Sequence, residues 1–341
     1  MSWSAGLLLL ALVAAAQALR ARSPLSPGTV TIVLPPKLMA GHPATLAVLG
    51  EDGRLAPAVN VELGNGRTIK TDRTGRGVFH VPETGDYLLA KVSGEEAVSL
   101  IDPAVAQAEP NAIALPPIVS LHDRFWICGG GLRGDADEDG VKLNGQSALI
   151  LASSPICLVA LPGPSAQPGS TALSVEAPGV AWSATTTLVS LEFVPPNPPL
   201  NPGQQGELVI RVRGSGEKLG IAVRNGTPKV LRFTRGDVQE IMTGGGAENF
   251  ATVKVQAISS GDFSWSARVV AAPDLASAER YLWAAVPLAP RDSERTLAEL
   301  AQRLRRHPGD RATVRAKVAR LAMGTMAGDF RTLLEAAEAA L

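Results

Sequence analysis

The chain has no excess charge of either sign and few aromatic residues. Its 32 Lys and Arg balance 32 Asp and Glu, and aromatic side chains make up 4% of the 341 residues. A protein that binds nucleic acid over its whole surface needs a dominant positive field, so the zero net charge argues against a nucleic-acid partner. Because aromatic residues are scarce, Val, Leu, Ile and Ala must fill most of the hydrophobic core.

Signals of catalysis are also missing from the sequence. No Gly-x-Ser-x-Gly nucleophile elbow occurs, and no two of the four histidines stand at metal-ligand spacing. His122 and Asp123 are adjacent, but neighbouring side chains of a strand point to opposite faces. We therefore predict no catalytic residue and no enzymatic activity, and we expect no cofactor other than the calcium ion considered below.

What the sequence does contain is turn-forming residues and short apolar runs. The 34 Gly and 26 Pro are spread without a period, which is typical of many short strands joined by turns. We predict a mainly β fold of tandem Ig-like β-sandwiches at 29–102, 115–190 and 195–272. A small helical segment follows at 273–341, with helices over 275–286, 292–306, 310–323 and 327–341. Hairpin turns are predicted at Gly64-Asn65-Gly66 and at Asn225-Gly226.

The N-terminus predicts export. An apolar run over 6–16 has the length of a signal-peptide core, and Ala16-Gln17-Ala18 follows as a small-x-small cleavage site. We predict a signal peptide over 1–18 and a periplasmic or extracellular location. Since residues 1–5 contain no Lys or Arg, an uncleaved anchor is the alternative.

A motif in the first β segment resembles a known family. The segment contains Thr71-Asp72-Arg73-Thr74-Gly75-Arg76-Gly77-Val78-Phe79, then Pro82 and Gly85-Asp86-Tyr87-Leu88. This pattern is similar to that of carboxypeptidase-regulatory-like and bacterial Ig-like modules, over about 29–100. The resemblance implies a β-sandwich in which Phe79 fills the core, and it implies a spacer or accessory domain.

The second β segment carries the longer resemblance. Its matching runs are Gly129-Gly130-Gly131-Leu132 and Val141-Lys142-Leu143-Asn144-Gly145-Gln146-Ser147-Ala148. Over about 115–190 the segment resembles the IPT/TIG Ig-like domain. The resemblance implies binding or spacing and no reaction, because the fold is used by many unrelated proteins.

Both cysteines lie in this second segment. In an exported chain, Cys128 and Cys157 are most simply one disulfide, which would close a loop of about 29 residues. Strand parity argues against the pair, because Cys128 should point outward if Ile127 points inward, whereas Cys157 alternates with Val159 and should point inward. The alternative is two separate buried thiols.

An acidic loop between the two matching runs resembles half of a calcium loop. Asp135, Asp137 and Asp139 alternate and are followed by Gly140, as in the first half of an EF-hand loop. Gln146 stands where that loop has its bidentate Glu, and the flanking residues favour strands. These departures favour a solvated acidic loop without metal, and weak calcium binding at the three carboxylates is the alternative.

Two further sets of residues are candidates for binding. Trp126, Trp182 and Trp265 would favour a glycan if they were exposed on one face, and core packing is the alternative. The predicted helices carry a local excess of basic residues, including Arg303, Arg305 and Arg306. These favour contact with an anionic membrane surface, and the solvated side of a helical hairpin is the alternative.

The function predicted from the sequence is an exported, non-enzymatic binding, adhesion or scaffold protein of the cell envelope or extracellular space. Its expected partner is an envelope protein or a glycan, and the sequence does not define its oligomeric state. The alternatives are an accessory carbohydrate-binding protein, an envelope assembly factor that docks through its helical tail, and a hydrolase with an unfamiliar site.

Overall fold

The computed structural model describes residues 30–103, 113–196, 199–270 and 273–341. The predicted signal peptide, 1–18, lies outside the described residues. Within them, twenty-three strands are followed by four α-helices, which confirms the predicted mainly β fold class with its C-terminal helical segment. None of these helices is both long enough and apolar enough to cross a membrane.

The first sandwich consists of two packed layers. Its strands are β1 (Thr31–Val33), β2 (Lys37–Met39), β3 (Pro43–Leu49), β4 (Asn60–Leu63), β5 (Thr68–Lys70), β6 (Arg76–His80), β7 (Tyr87–Val92) and β8 (Glu95–Asp102). One layer is the sheet β2-β8-β7-β4-β5, and the other contains β1, β3 and β6. Leu46 and Phe79 from one layer meet Val61 and Leu88 from the other, so Phe79 fills the core as expected. The turn at Gly64-Asn65-Gly66 joins β4 to β5.

The second sandwich follows the same plan. Its strands are β9 (Ile113–Ala114), β10 (Ile118–Ser120), β11 (Phe125–Gly129), β12 (Gly140–Leu143), β13 (Gln146–Ser147), β14 (Leu149–Ser154), β15 (Cys157–Leu161), β16 (Gly169–Ala177) and β17 (Val180–Val194). One layer is β14-β15-β11-β9 and the other is β13-β12-β16-β17. Phe125, Ile127 and Leu158 from the first layer pack against Leu173 and Val175 from the second.

The third sandwich shares a strand with the second. Its own strands are β18 (Gln205–Arg213), β19 (Gly220–Asn225), β20 (Leu231–Phe233), β21 (Val238–Met242), β22 (Asn249–Ala257) and β23 (Trp265–Val269). The end of β17 continues into the layer β17-β18-β22-β20, which covers the small sheet β21-β19-β23. Ile210, Phe233 and Val253 from the larger layer pack on Ile221 and Val223.

The hairpin predicted at Asn225-Gly226 is wrong. β19 pairs with β21 and β23, whereas β20 pairs with β22 in the opposite sheet, so the chain crosses between sheets at this point. The buried side chain of Asn225 donates hydrogen bonds to the carbonyl oxygen of Leu231 (2.6 Å) and to the carboxylate of Asp237 (2.8 Å). An Asn-Gly pair marks a turn, but it does not determine which strands pair afterwards.

The sandwiches are joined by strand pairing and by shared buried side chains, in addition to the chain that connects them. β17 pairs with β16 over 180–188 and with β18 over 190–194, so one continuous strand crosses the boundary predicted near 190. Thr45 of β3 pairs with Ser153 of β14, which joins the first sandwich to the second. Val33 and Ala47 from the first sandwich and Val159 from the second are buried together at this joint.

The helical segment packs on the first sandwich and reaches the third. Its helices are α1 (Leu275–Ala285), α2 (Arg291–Arg306), α3 (Arg311–Met323) and α4 (Asp329–Ala340), with 3-10 turns at Val286–Leu288 and Pro308–Asp310. The apolar stripe Leu297, Leu300 and Leu304 of α2 is buried in a helical core that also takes in Leu100 of β8. Ion pairs tie α4 to the first sandwich (Lys91 to Asp329, 2.6 Å) and α3 to the third (Arg311 to Glu240, 3.0 Å).

Candidate ligand-binding cleft

The three sandwiches and the helical segment meet around two neighbouring cavities. Their volumes are about 420 Å³ and about 540 Å³, within the range of small-ligand sites in proteins. Six residues line both cavities, namely Arg124, Trp126, Arg268, Val269, Glu335 and Ala339. We call the two cavities with this shared wall the central cleft. The shared wall comes from the second sandwich, the third sandwich and α4, and the first sandwich lines the smaller cavity with Val33 and Val98.

The alternation of side chains along β11 places Trp126 on the wall of the cleft. Phe125 and Ile127 point into the core of the second sandwich, so Trp126 and Cys128 point to the opposite face. The Trp126 side chain is 39% exposed and lines both cavities. An indole that is held by a strand and open to a cleft offers a rigid apolar surface with one hydrogen-bond donor.

The predicted disulfide is present on this face of β11, where Cys128 lines the smaller cavity. Cys128 and Cys157 are directly opposite each other in the β11–β15 pair, with Cα atoms 4.1 Å apart and the sulfurs bonded. The expectation that Cys157 points into the sandwich core is wrong. Leu158 faces that core, whereas Val159, and Cys157 with it, faces the buried joint with the first sandwich. Cys157 is therefore buried on the same face that carries Cys128.

A network of ion pairs lies where the helices meet the third sandwich. The carboxylate of Glu240 in β21 accepts from Arg311 (3.0 Å) and Arg315 (2.5 Å) of α3. Arg224 of β19 pairs with Glu338 of α4. Burial lowers the pKa of Arg315 to about 10, which still leaves its guanidinium protonated at neutral pH. These pairs fix α3 and α4 against the small sheet that forms one side of the cleft.

Two guanidinium groups of the cleft have no carboxylate partner among the described residues. Arg268 of β23 donates to the carbonyl oxygens of Glu338 (3.2 Å) and Ala339 (3.3 Å) in α4. Arg124 makes no hydrogen bond or ion pair within the described residues, and its side chain is open to the cleft. Burial lowers the pKa of both groups, and this shift is opposed by the carboxylate of Asp123 at Arg124 and most by that of Glu338 at Arg268.

The three carboxylates of the acidic loop have separate partners. An oxygen of Asp135 accepts from the backbone N–H of Asp137 (3.0 Å), and the Asp137 carboxylate pairs with Arg76 of the first sandwich (2.7 Å). Asp139 is buried and accepts from the hydroxyl of Ser153 (2.8 Å). In the part of the chain that the structure describes, no group of three His, Cys, Asp or Glu is arranged to hold a metal. The structure gives the candidate calcium site no support, and calcium binding stays the alternative.

The acidic loop instead packs against the first sandwich. Gly134 lies so close to Pro43 that a Cβ added there would be 1.9 Å from the Pro43 carbonyl oxygen. The Thr45 hydroxyl donates to the Gly134 carbonyl oxygen (2.7 Å) and accepts from the backbone N–H of Ala136 (3.2 Å). Burial raises the pKa of Asp139 from 3.8 to about 6. The loop is thus part of the joint between the first two sandwiches.

The other predicted binding residues lie outside the cleft. Trp182 packs on the core of the second sandwich, and Trp265 packs on that of the third, edge-on to Phe193 with ring centroids 4.6 Å apart. Neither lines the two cavities, so the three tryptophans do not form one platform.

The basic side chains of α2 are on its outer surface. Arg303, Arg305 and Arg306 are exposed, on the side away from the buried Leu300 and Leu304. Arg303 pairs with an aspartate in the following turn at 2.7 Å. Within the described residues, Arg305 and Arg306 form no salt bridge.

Sequence reasoning did not identify Arg124, Arg268 or Glu240. The one local signal was Arg124 standing two residues before Trp126, which places the two side chains on the same face of an extended chain. Arg268 and Glu240 stand in ordinary strand segments. Their roles depend on which helix covers the small sheet, and that is decided by tertiary packing.

Comparisons with known proteins give no family for this chain. No protein-family model and no curated protein matches it. Among solved structures, it is similar to the plexin A4 extracellular region at 12% identity, over 70% of this chain and 23% of the plexin, with a TM-score of 0.25. The N-terminal four Ig domains of Dscam1 match at 11% identity over 69% of this chain and 73% of theirs, with a TM-score of 0.20. At these scores the likeness carries no argument, and the resemblances to IPT/TIG and carboxypeptidase-regulatory-like modules stay predictions.

Proposed function

We propose that this protein is an exported, non-enzymatic binding protein of the cell envelope or extracellular space, and that the central cleft is its ligand site. The observation that carries the proposal is the position of Trp126. It is partly exposed on the wall of a cleft to which all three sandwiches and the helical segment contribute. The disulfide supports export, because disulfides persist in oxidising compartments.

A glycan is the ligand class that this wall favours. Ligand sites are typically concave, with aromatic surface and a small number of convergent polar groups. The cleft combines the indole of Trp126 with the guanidinium groups of Arg124 and Arg268. A sugar has an apolar ring face and a polar rim, so it can use both kinds of surface.

The test is binding of the purified full-length protein to peptidoglycan and to a panel of polysaccharides, with Trp126→Ala as the variant. Trp283→Ala is the matched control, because Trp283 is 41% exposed on α1 and lines neither cavity. Truncation of an aromatic binding residue costs about 2 kcal/mol or more, so Trp126→Ala should weaken binding about 30-fold. Equal affinities for the two variants, or binding to none of the ligands, would contradict the proposal.

A second candidate function is docking of α2 on an anionic membrane surface. It is favoured by the exposed Arg305 and Arg306, which have no ion-pair partner among the described residues. The apolar stripe of α2 is buried in the helical core, so the contact would be electrostatic. Each basic side chain near an anionic bilayer contributes about 1 kcal/mol. Replacing both by Gln should therefore lower vesicle binding about 30-fold at low salt, and unchanged binding would exclude this function.

A further inference from the structure

Three charged side chains of the central cleft stand outside its salt bridges. Most charged side chains that line the two cavities are held in salt bridges, namely those of Glu96, Asp274, Arg224, Glu338, Arg315 and Glu335. Arg124, Arg268 and Asp123 line the cavities and form no salt bridge within the described residues. Two guanidinium groups and one carboxylate of the cleft therefore remain outside its salt bridges.

The two guanidinium groups also keep hydrogen-bond donors free. A guanidinium has five N–H donors. Arg268 donates hydrogen bonds to two backbone carbonyl oxygens of α4. Arg124 donates no hydrogen bond to the described part of the protein. Burial lowers the pKa of the half-buried Arg268, because protein replaces part of the water that would solvate its charge. An anion that enters the cleft would supply acceptors for the free donors of both groups.

The chain at the start of β11, where Arg124 directly precedes the strand, links these donors to the aromatic wall. Arg124 and Trp126 are two residues apart and both line both cavities, so a guanidinium and an indole are neighbours on one wall. Arg268 lines the same cavities from the third sandwich. The planar fork of a guanidinium matches the two oxygens of a carboxylate, and such charge-assisted bonds are stronger than neutral ones.

We propose that Arg124 and Arg268 form an anion-binding subsite, and that the ligand of the central cleft is an acidic glycan whose sugar ring lies on Trp126. The sugar carboxylate is bound by the two guanidinium groups. This inference rests on the proposed function, since it specifies the class of glycan that the cleft takes.

Isothermal titration calorimetry with matched ligands tests the proposal. Oligosaccharides of galacturonic and of glucuronic acid are compared with their methyl esters, which keep the ring and lose the charge. The variants are Arg124→Gln and Arg268→Gln, and Arg54→Gln is the control because the Arg54 side chain is 87% exposed. The loss of one charge-assisted hydrogen bond weakens binding about 10- to 100-fold.

We expect an acidic oligosaccharide to bind at least 10-fold more tightly than its ester. Each cleft variant should lose most of that difference, and Arg54→Gln should lose none. Arg268→Gln removes contacts to α4 and can lower stability, so its melting temperature is measured alongside. Arg124→Gln removes no contact with the described protein and decides the outcome if Arg268→Gln fails to fold.

Other outcomes separate this inference from the proposed function. If acid and ester bind equally and Trp126→Ala weakens both, the cleft binds glycans and the anion subsite is wrong. If inorganic phosphate binds in an Arg124-dependent way and no acidic oligosaccharide binds, the assignment to acidic glycans is wrong. If no glycan binds at all, the proposed function fails together with this inference.

Discussion

Removal of the Glu240 carboxylate should destabilise the joint between the helices and the third sandwich. The side chains of Glu240 and Arg315 are 10% and 3% exposed, and Glu240 also accepts from Arg311. Glu240→Gln keeps the shape of the side chain but leaves two guanidinium groups without their counter-charge. Removing one partner of a buried ion pair costs about 3–5 kcal/mol, so we expect a loss of that size in the free energy of unfolding.

Urea denaturation followed by far-ultraviolet circular dichroism measures this loss. The matched control is Glu299→Gln on α2, because Glu299 and its partner Arg295 are 62% and 90% exposed. An exposed pair contributes at most about 1 kcal/mol, and the control should lie within that limit. Surface substitutions ordinarily change the free energy of unfolding by no more than about 0.5 kcal/mol, so a Glu240→Gln loss within that range would contradict this account of the joint.

Three further changes test other parts of the fold. Replacing Cys128 and Cys157 by Ala should lower the free energy of unfolding by about 3–4 kcal/mol, and an unchanged melting temperature would contradict this. Gly134→Ala should cost about 1–3 kcal/mol in urea denaturation, because its Cβ would meet a backbone carbonyl of the first sandwich. Gly309→Ala, where nothing lies within 4 Å, is its control, and equal stability of the two variants would refute the close approach. Because the pKa of Asp139 is raised from 3.8 to about 6, the folded state holds a proton that the unfolded chain releases. Stability should therefore fall by up to about 3 kcal/mol as the pH rises from 4 to 6, and Asp139→Asn should remove this dependence; the same pH slope in both proteins would contradict it.

The strands and helices were predictable because their signals are local. The alternation in Glu207 to Arg213 appears as β18, and the spacing of Leu297, Leu300 and Leu304 appears as the buried stripe of α2. Phe79 lies in the core of the first sandwich, as the resemblance carried by its own stretch of sequence implied. Each of these features depends on residues that are close in the chain.

Features that depend on contacts between distant segments were not predictable. Cys157 lies on the outer face of its sandwich, and it is buried only because the first sandwich covers that face. Asp137 belongs to an acidic loop whose pattern suggested calcium, but its partner is Arg76, 61 residues earlier. The cleft itself is made by segments from every part of the fold, so only Trp126 among its shared wall residues was a candidate from sequence.

The central claim is that the cleft binds the ligand, and hydrogen–deuterium exchange of the full-length protein tests it most directly. Exchange is measured with and without a saturating acidic oligosaccharide and is read by mass spectrometry of peptides. We predict that protection is greatest in the peptides that contain Arg124 to Cys128 and Ser266 to Val269, because these two segments line the cleft from two sandwiches. Protection confined to the end of α2, around Arg305, with none in these two peptides, would contradict the claim.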